Sequence, residues 1–408
     1  MKTGIIAPNI MLPKDADMRY FATIACDQFT SEPDYWNELE KFVGGNPSTL
    51  NMVLPEIYLD GTEDKRIEKI NENIKNNLKN GVFKTLEKGF VLTIRSTPYV
   101  EKRIGLVGAV DLENYEYSKK NNALIRATEG TIEERIPPRL KIRKNAQVEF
   151  PHVMVLFDDE KREITEKLYE RKDTLEKLYD FDLNMNGGHI EGYFVADYEG
   201  VLASFEKLLD SDRLIAKYGT NDLFAFAVGD GNHSLATAKT HWNKVKETLS
   251  DCEKENHPAR YALVEFVNVY DEGIYFEPIF RFISGVDREK FIAELTSKVN
   301  FACEIIDGEK KIEIKGEKNI PSAIISVDEF IREYIAKNGG IVDYVHGVEN
   351  LTNLVKAKED TVGVLFEKLD KSELFKYVSK TGAFPRKTFS MGEGIEKRYY
   401  LEGRKIVK

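Results

Sequence analysis

Hydrophobic and polar positions along this chain change in short blocks, and each block predicts one element. Thr3 to Leu12 and Tyr20 to Cys26 read as strands, and a helix follows over Tyr35 to Val43 with Pro33 suited to its first turn. In Thr62 to Asn80 the residues Ile67, Ile70, Ile74 and Leu78 recur at helical spacing opposite a charged face. Phe90 to Arg95 and Arg103 to Asp111 predict a hairpin. Ala123 to Gln147 has no clear period, and Pro137-Pro138 predicts a loop there. A strand over His152 to Phe157, a helix over Glu160 to Tyr179, a strand over Tyr193 to Ala196 and a helix over Leu202 to Tyr218 come next. Leu223 to Val228 reads as a buried strand, and Ser234 to Lys244 as a helix. Arg260 to Tyr270 and Ile274 to Ile283 predict a second hairpin, turned at Asp271-Glu-Gly273. Beyond it, helices over Arg288 to Lys298, Asp328 to Lys337, Asn350 to Ala357 and Ser372 to Lys380 alternate with short strands, ending in a strand over Lys397 to Ile406.

The pattern predicts a mixed α/β (α+β) chain with mixed sheets and an additional C-terminal α+β subdomain. No repeat or low-complexity linker marks a boundary. The soft divisions are an N-terminal α+β region over 1–150 with a basic loop at 123–147, a core over 151–285, and the C-terminal subdomain over 286–408. At 408 residues the chain can bury a large core, and 42% hydrophobic with 31% charged residues is ordinary for a globular protein. A net charge of -10 argues against coating nucleic acid. Cys26, Cys252 and Cys303 show neither a disulfide framework nor zinc spacing. No apolar run approaches the ~20 residues of a membrane span, and no signal-peptide core is present, so the expected compartment is the cytoplasm.

The densest chemistry lies where the Leu223 strand meets the next helix, at Gly229-Asp-Gly-Asn-His-Ser234. Gly229 and Gly231 permit a tight turn and close approach of a ligand. Amides at the helix start and the positive end of its dipole suit an anion, phosphate above all. Asp230, Asn232, His233 and Ser234 place a carboxylate, an imidazole and a hydroxyl in the same turn. Neither the Walker pattern nor G-x-G-x-x-G is present. Arginine forks pair with phosphate oxygens, which makes the Arg126 to Lys144 stretch a candidate ligand loop, with Arg126, Glu129, Arg135 and Arg139 foremost. Arg386, Lys387, Thr388 and Ser390 form a basic tail cluster, Gly187-Gly-His189 a second glycine turn, and Asp27-Gln28 follows a strand end.

On these residues the chain resembles the domain-of-unknown-function family ten-fifteen, whose hallmark is a D-G-H-H-R-x-x-x-A loop at a strand-to-helix junction. Arg126-Ala-Thr-Glu-Gly-Thr131, the strand pair Tyr261 to Ile283 and the run Gly382-Ala-Phe-Pro-Arg-Lys-Thr-Phe389 fall in the expected order. Two departures stand out: in the hallmark loop Asn232 replaces the first histidine and Ser234 the arginine, and the P-x-H-R element that often follows the second hairpin strand stands here as Pro278-Ile-Phe-Arg281. The resemblance implies a ParB/sulfiredoxin-like core related to nucleotide-dependent free-serine kinases. It thereby implies phosphoryl transfer from ATP or ADP to a small hydroxylated metabolite, with serine the leading candidate. Gly229, Gly231, Asn232 and Ser234 would hold one phosphate, with Arg126, Arg139, Arg386 and Lys387 supplying charge. Asp230 would bind Mg²⁺, and His233, Asp27 or Glu129 would take the hydroxyl proton. A phosphomonoesterase acting on a phosphoserine-like ester, and a non-catalytic nucleotide-binding regulator, are the rival expectations. Sulfiredoxin-like redox chemistry would need a cysteine in the glycine loop, where none stands.

Overall fold

The computed structural model describes residues 3–408. It shows a mixed α/β fold that divides into two compact units. The first runs to Ile274 and regains Phe375–Gly382 and Glu393–Lys408; the second comprises Tyr275–Leu374 and Ala383–Gly392.

A large mixed sheet organises the first unit. Its strands are β1 (Phe90–Ser96), β2 (Arg103–Asp111), β3 (Tyr115–Glu116), β4 (Ile125–Ala127), β5 (Met154–Phe157), β6 (Glu176–Asp182), β7 (His189–Val195), β8 (Phe226–Asp230) and β9 (Tyr261–Asn268). They lie in the order β6-β7-β1-β2-β9-β5-β8-β4-β3, and Ile5–Ile6 adds to β2. The β5–β9 and β8–β4 pairs are parallel, and β5–β8 is antiparallel. Strands from both sides of residue 150 therefore share one sheet. Alternating side chains feed two cores: Phe90, Leu92, Leu106 and Val264 pack with Phe205 and Trp242 in one, while Val91, Val107 and Leu263 pack with Trp36 and Leu39 in the other. That explains why β2 reads as an unbroken buried run, as strands covered on both faces do.

The Phe90/Arg103 hairpin and the helices over Pro33–Val43 and Asp64–Lys79 match their predicted places. Other expectations fail for identifiable reasons. The prolines at 137 and 138 do not make a loop: they occupy the first turn of helix α1 (Ile136–Arg143), where a missing N–H costs nothing. Glu160 to Tyr179 is not one helix, because only Thr165–Glu170 is α-helical, Lys172–Thr174 is a single 3-10 turn, and Glu176–Asp182 joins the sheet edge as β6. Leu202 to Tyr218 is split into helices Tyr198–Lys207 and Ser211–Tyr218, the second capped by Asp210. The second hairpin does not form either. β9 pairs with β2 and β5, whereas Phe276–Ser284 belongs to another sheet.

That other sheet builds the second unit. Its strands are β10 (Phe276–Ser284), β11 (Cys303–Asp307), β12 (Lys310–Ile314), β13 (Ile341–His346) and β14 (Thr361–Leu365), in the order β12-β11-β14-β10-β13. Phe389–Met391 adds to β10. Helices Arg288–Lys298 and Ile320–Asn338 cover it through Phe291, Leu295, Ile324 and Val327. Among the described residues no helix is long and apolar enough to cross a membrane.

Candidate functional site

Strand β8 ends at Asp230 and helix α2 (Asn232–Lys246) begins two residues later. Gly231 makes the turn at φ +77°, and a Cβ there would stand 3.0 Å from the Val153 Cα and 3.4 Å from the His152 ring. Only glycine lets the turn lie this close to the segment carrying His152. The first helical bond runs from Leu235 N–H to Gly231 O, so the amides of Asn232 and Ser234 have no partner inside the helix. Oδ1 of Asn232 is buried at the same place and, among the described residues, has no hydrogen-bond partner. Helix dipole and free amides together fit an anion the size of phosphate, whereas the Asn232 oxygen, an acceptor, would need a donor from the ligand.

A carboxylate–imidazole pair adjoins this turn. Asp27 Oδ2 lies 3.4 Å from His152 Nε2, and His152 Nδ1 lies 2.8 Å from the Tyr400 hydroxyl. That hydroxyl accepts the Cys26 N–H at 3.0 Å and donates to Cys26 Sγ at 3.0 Å. With that proton directed at sulfur, Nδ1 donates to the hydroxyl, while Nε2 faces the Asp27 carboxylate at ion-pair distance. A doubly protonated imidazole satisfies the whole set. The electrostatics agree in direction. Burial pulls His152 down, but Asp27, Asp230 and Glu56 outweigh it and raise the imidazole above its ordinary value. Burial lifts Asp27, yet His152, Gln28 and Lys397 hold its carboxyl well below the usual carboxylate range. The Cys26 thiol is pushed up to about 12 by burial and by the Asp27 charge, which makes it a neutral hydrogen-bonding group rather than a nucleophile.

The C-terminal tail completes the site. Tyr399–Tyr400 pairs with Thr23–Ile24, which sets Tyr400 against Cys26. Lys397 Nζ lies 3.3 Å from Asp230 Oδ2. Arg95 fixes this segment: Nη1 donates to the Glu396 and Lys397 carbonyls at 2.9 and 2.5 Å, and Nη2 to Gly187 and Ile395 at 3.0 and 2.8 Å. Arg103 adds a bond to the Glu396 carbonyl at 3.1 Å. Burial and the neighbouring Arg103 charge bring Arg95 down to about 9, still charged at neutral pH.

The sequence-predicted residues divide accordingly. Asp230, Gly231, Asn232, Ser234 and Asp27 meet around His152, and Gly229 is the strand residue ahead of Asp230. Glu129 follows β4, whose parallel pairing with β8 puts it at the strand end that carries Asp230. His233 accepts the Ile132 N–H on Nε2 at 3.1 Å, so that nitrogen is not placed to take a substrate proton. Arg126 is buried, bonded to both Asp222 carboxylate oxygens at 2.6 and 2.5 Å and stacked on Phe224; it holds the fold rather than a phosphate. Arg139 pairs with Glu56. Arg386 and Lys387 lie in the second unit, where the Lys387 carbonyl accepts from Arg281 at 2.8 Å. Asp230 is also a poor metal ligand as it stands, because Oδ1 accepts the Gly231 N–H at 2.9 Å and Oδ2 faces Lys397. Among the described residues no group of three or more His, Cys, Asp or Glu is arranged to hold a metal ion.

His152, Lys397 and Tyr400 are not among the site residues that the sequence predicts. Neither the lysine nor the tyrosine has a local motif, since both arrive from the far end of the chain. His152 stands just ahead of a strand, as Asp27 stands just behind one, and that shared position is the one signal it offers.

A cavity of about 140 Å³ opens beside the pair, lined by Cys26, Glu56, His152, Ser234 and Tyr400 together with a larger set of apolar side chains.

Three solved structures are similar over most of the chain. A conserved hypothetical protein from Pyrococcus furiosus is 11% identical, covering 73% of this chain and 94% of its own, with a TM-score of 0.37. A free serine kinase in complex with AMP is 9% identical, covering 73% and 90%, with a TM-score of 0.39. SbnI from Staphylococcus aureus is 9% identical, covering 70% and 82%, with a TM-score of 0.36. No curated protein matches the sequence. A family profile, by contrast, matches residues 6–378, and on that match the chain belongs to the family described as protein of unknown function DUF1015.

Proposed function

We propose that the first unit transfers a phosphoryl group from a nucleoside di- or triphosphate to the hydroxyl of a small metabolite. The observation that carries this reading is the placement of a charged Asp27–His152 pair next to the anion-accepting start of α2. Phosphoryl transfer asks the protein mainly for positioning and for charge around the moving group. The amides of Asn232 and Ser234 hold the phosphate, and His152 and Lys397 bring positive charge to the same place. The cation expected from the hallmark arginine, replaced here by Ser234, is thus supplied from elsewhere in the fold.

Asp27 takes the hydroxyl proton as the new oxygen–phosphorus bond forms and the bond from phosphorus to the leaving phosphate oxygen breaks. A carboxylate held so low is a weak base. That suffices for a loose transition state, in which the attacking hydroxyl has little need of full deprotonation. His152 keeps Asp27 ionised and oriented, and Tyr400 holds the other edge of the imidazole.

The test is to incubate the protein with ATP or ADP, with and without Mg²⁺, and a panel of small alcohols and hydroxy acids. A phosphomonoester should form only when nucleotide and alcohol are both present. Release of phosphate from O-phosphoserine with no nucleotide would replace this reading by a phosphomonoesterase.

A further inference from the structure

The cavity beside His152 carries an inference about the acceptor, and it rests on the phosphotransfer reading above. Its walls are mostly hydrocarbon: Met52, Leu54, Ile142, Val148, Phe150 and Ile406 face it. The charged side chains that reach it are already paired in charge, although Nε of Arg143 is buried without a hydrogen bond. Arg139 pairs with Glu56, and Arg143 pairs with Glu149 at 2.6 Å, the latter also held by Arg404 at 2.9 Å. Thr237 Oγ1 donates to the His233 carbonyl at 2.7 Å, and the Cys26 and Tyr400 groups satisfy each other. A ligand that put an ammonium or carboxylate here would lose its water and gain no unmatched counter-charge. A hydrocarbon group would lose nothing.

We propose that this cavity takes the body of the acceptor, and that the acceptor is a small alcohol with an apolar aliphatic or aromatic substituent rather than a zwitterion such as serine. Size agrees. The volume of about 140 Å³ is close to the roughly 150 Å³ of an apolar cavity that admits benzene, and well below the ~300–1,000 Å³ of pockets for drug-sized ligands. His152 and Ser234 line the same cavity, so an alcohol seated in it presents its hydroxyl next to the Asp27–His152 pair.

Binding is measured by ligand-observed NMR in the presence of inorganic phosphate, with ethanol, propanol, butanol and benzyl alcohol against serine and glycerate. Each added methylene up to butanol should tighten binding about fourfold, and benzyl alcohol should bind about tenfold or more tightly than serine. Ala146→Phe, which fills the cavity from its wall, should abolish alcohol binding while the circular dichroism spectrum stays that of the parent. Serine or glycerate binding as tightly as the alcohols would overturn the proposal, as would alcohol binding that Ala146→Phe leaves intact or no alcohol binding at all. Alcohols that bind but are never phosphorylated would uphold the cavity and remove the phosphotransferase. Phosphorylation confined to serine or glycerate would do the reverse.

Discussion

At the scale of single residues, the site turns on protons. Because His152 is raised, its contribution to stability is complete below its unfolded value of about 6.5 and is lost as pH climbs through the folded value. Asp27 is depressed, so its contribution is present above about 3.9 and is lost as pH falls through the folded value. Stability measured by urea titration should therefore fall on the alkaline side of about pH 6.5, and His152→Gln should flatten that slope. Activity should decline over the same alkaline window, since the charged imidazole is the working form. Gly231→Ala should cost about 1–2 kcal/mol from its left-handed backbone before any crowding of Val153 is added. The glycine turn was legible in the sequence because its residue types are clustered. The imidazole that works there was not: His233 drew attention by adjacency, whereas His152 is brought in by the pairing of β5 with β8.

At the scale of elements, the basic stretch after β3 shows how a charge run can mislead. Arginines read as phosphate ligands are consumed by local carboxylates: Arg126 by Asp222, Arg139 by Glu56 and Arg143 by Glu149. Asp222→Ala should destabilise the protein by about 3–5 kcal/mol, because it strands a buried guanidinium. Were Arg126 a ligand group instead, the same change would leave stability intact and alter only KM. Asp222 and Glu56 lie far away in sequence from their arginines, and no local pattern announces them. The prolines of α1 failed as loop markers for a related reason: a proline pair stops a helix in its interior but starts one at its first turn, and periodicity alone does not say which.

For the first unit taken whole, the site is assembled by the tail. Thr23–Ile24 receives Tyr399–Tyr400, β1 supplies the Arg95 clamp, and Lys397 meets Asp230. Buried Glu265, Arg398 and Glu402 anchor the same segment, with Arg398 Nη1 3.0 Å from Glu265. Arg95→Met should loosen residues 395–397, seen as faster amide exchange there, and lower activity without removing any group of the Asp27–His152 pair. The alternation of strands and helices made the mixed α/β class legible. The join of Thr23–Ile24 to Tyr399–Tyr400 was not, because two-residue strands carry almost no periodic signal.

The measurement that bears most directly on the account is phosphorus NMR of nucleotide and alcohol turnover by the parent protein and by Asp27→Asn. The parent should generate a phosphomonoester, and Asp27→Asn, still folded by its melting curve, should slow that about 100-fold or more. Undiminished turnover by Asp27→Asn, or a parent that forms no phosphomonoester from any alcohol with ATP or ADP, would contradict it.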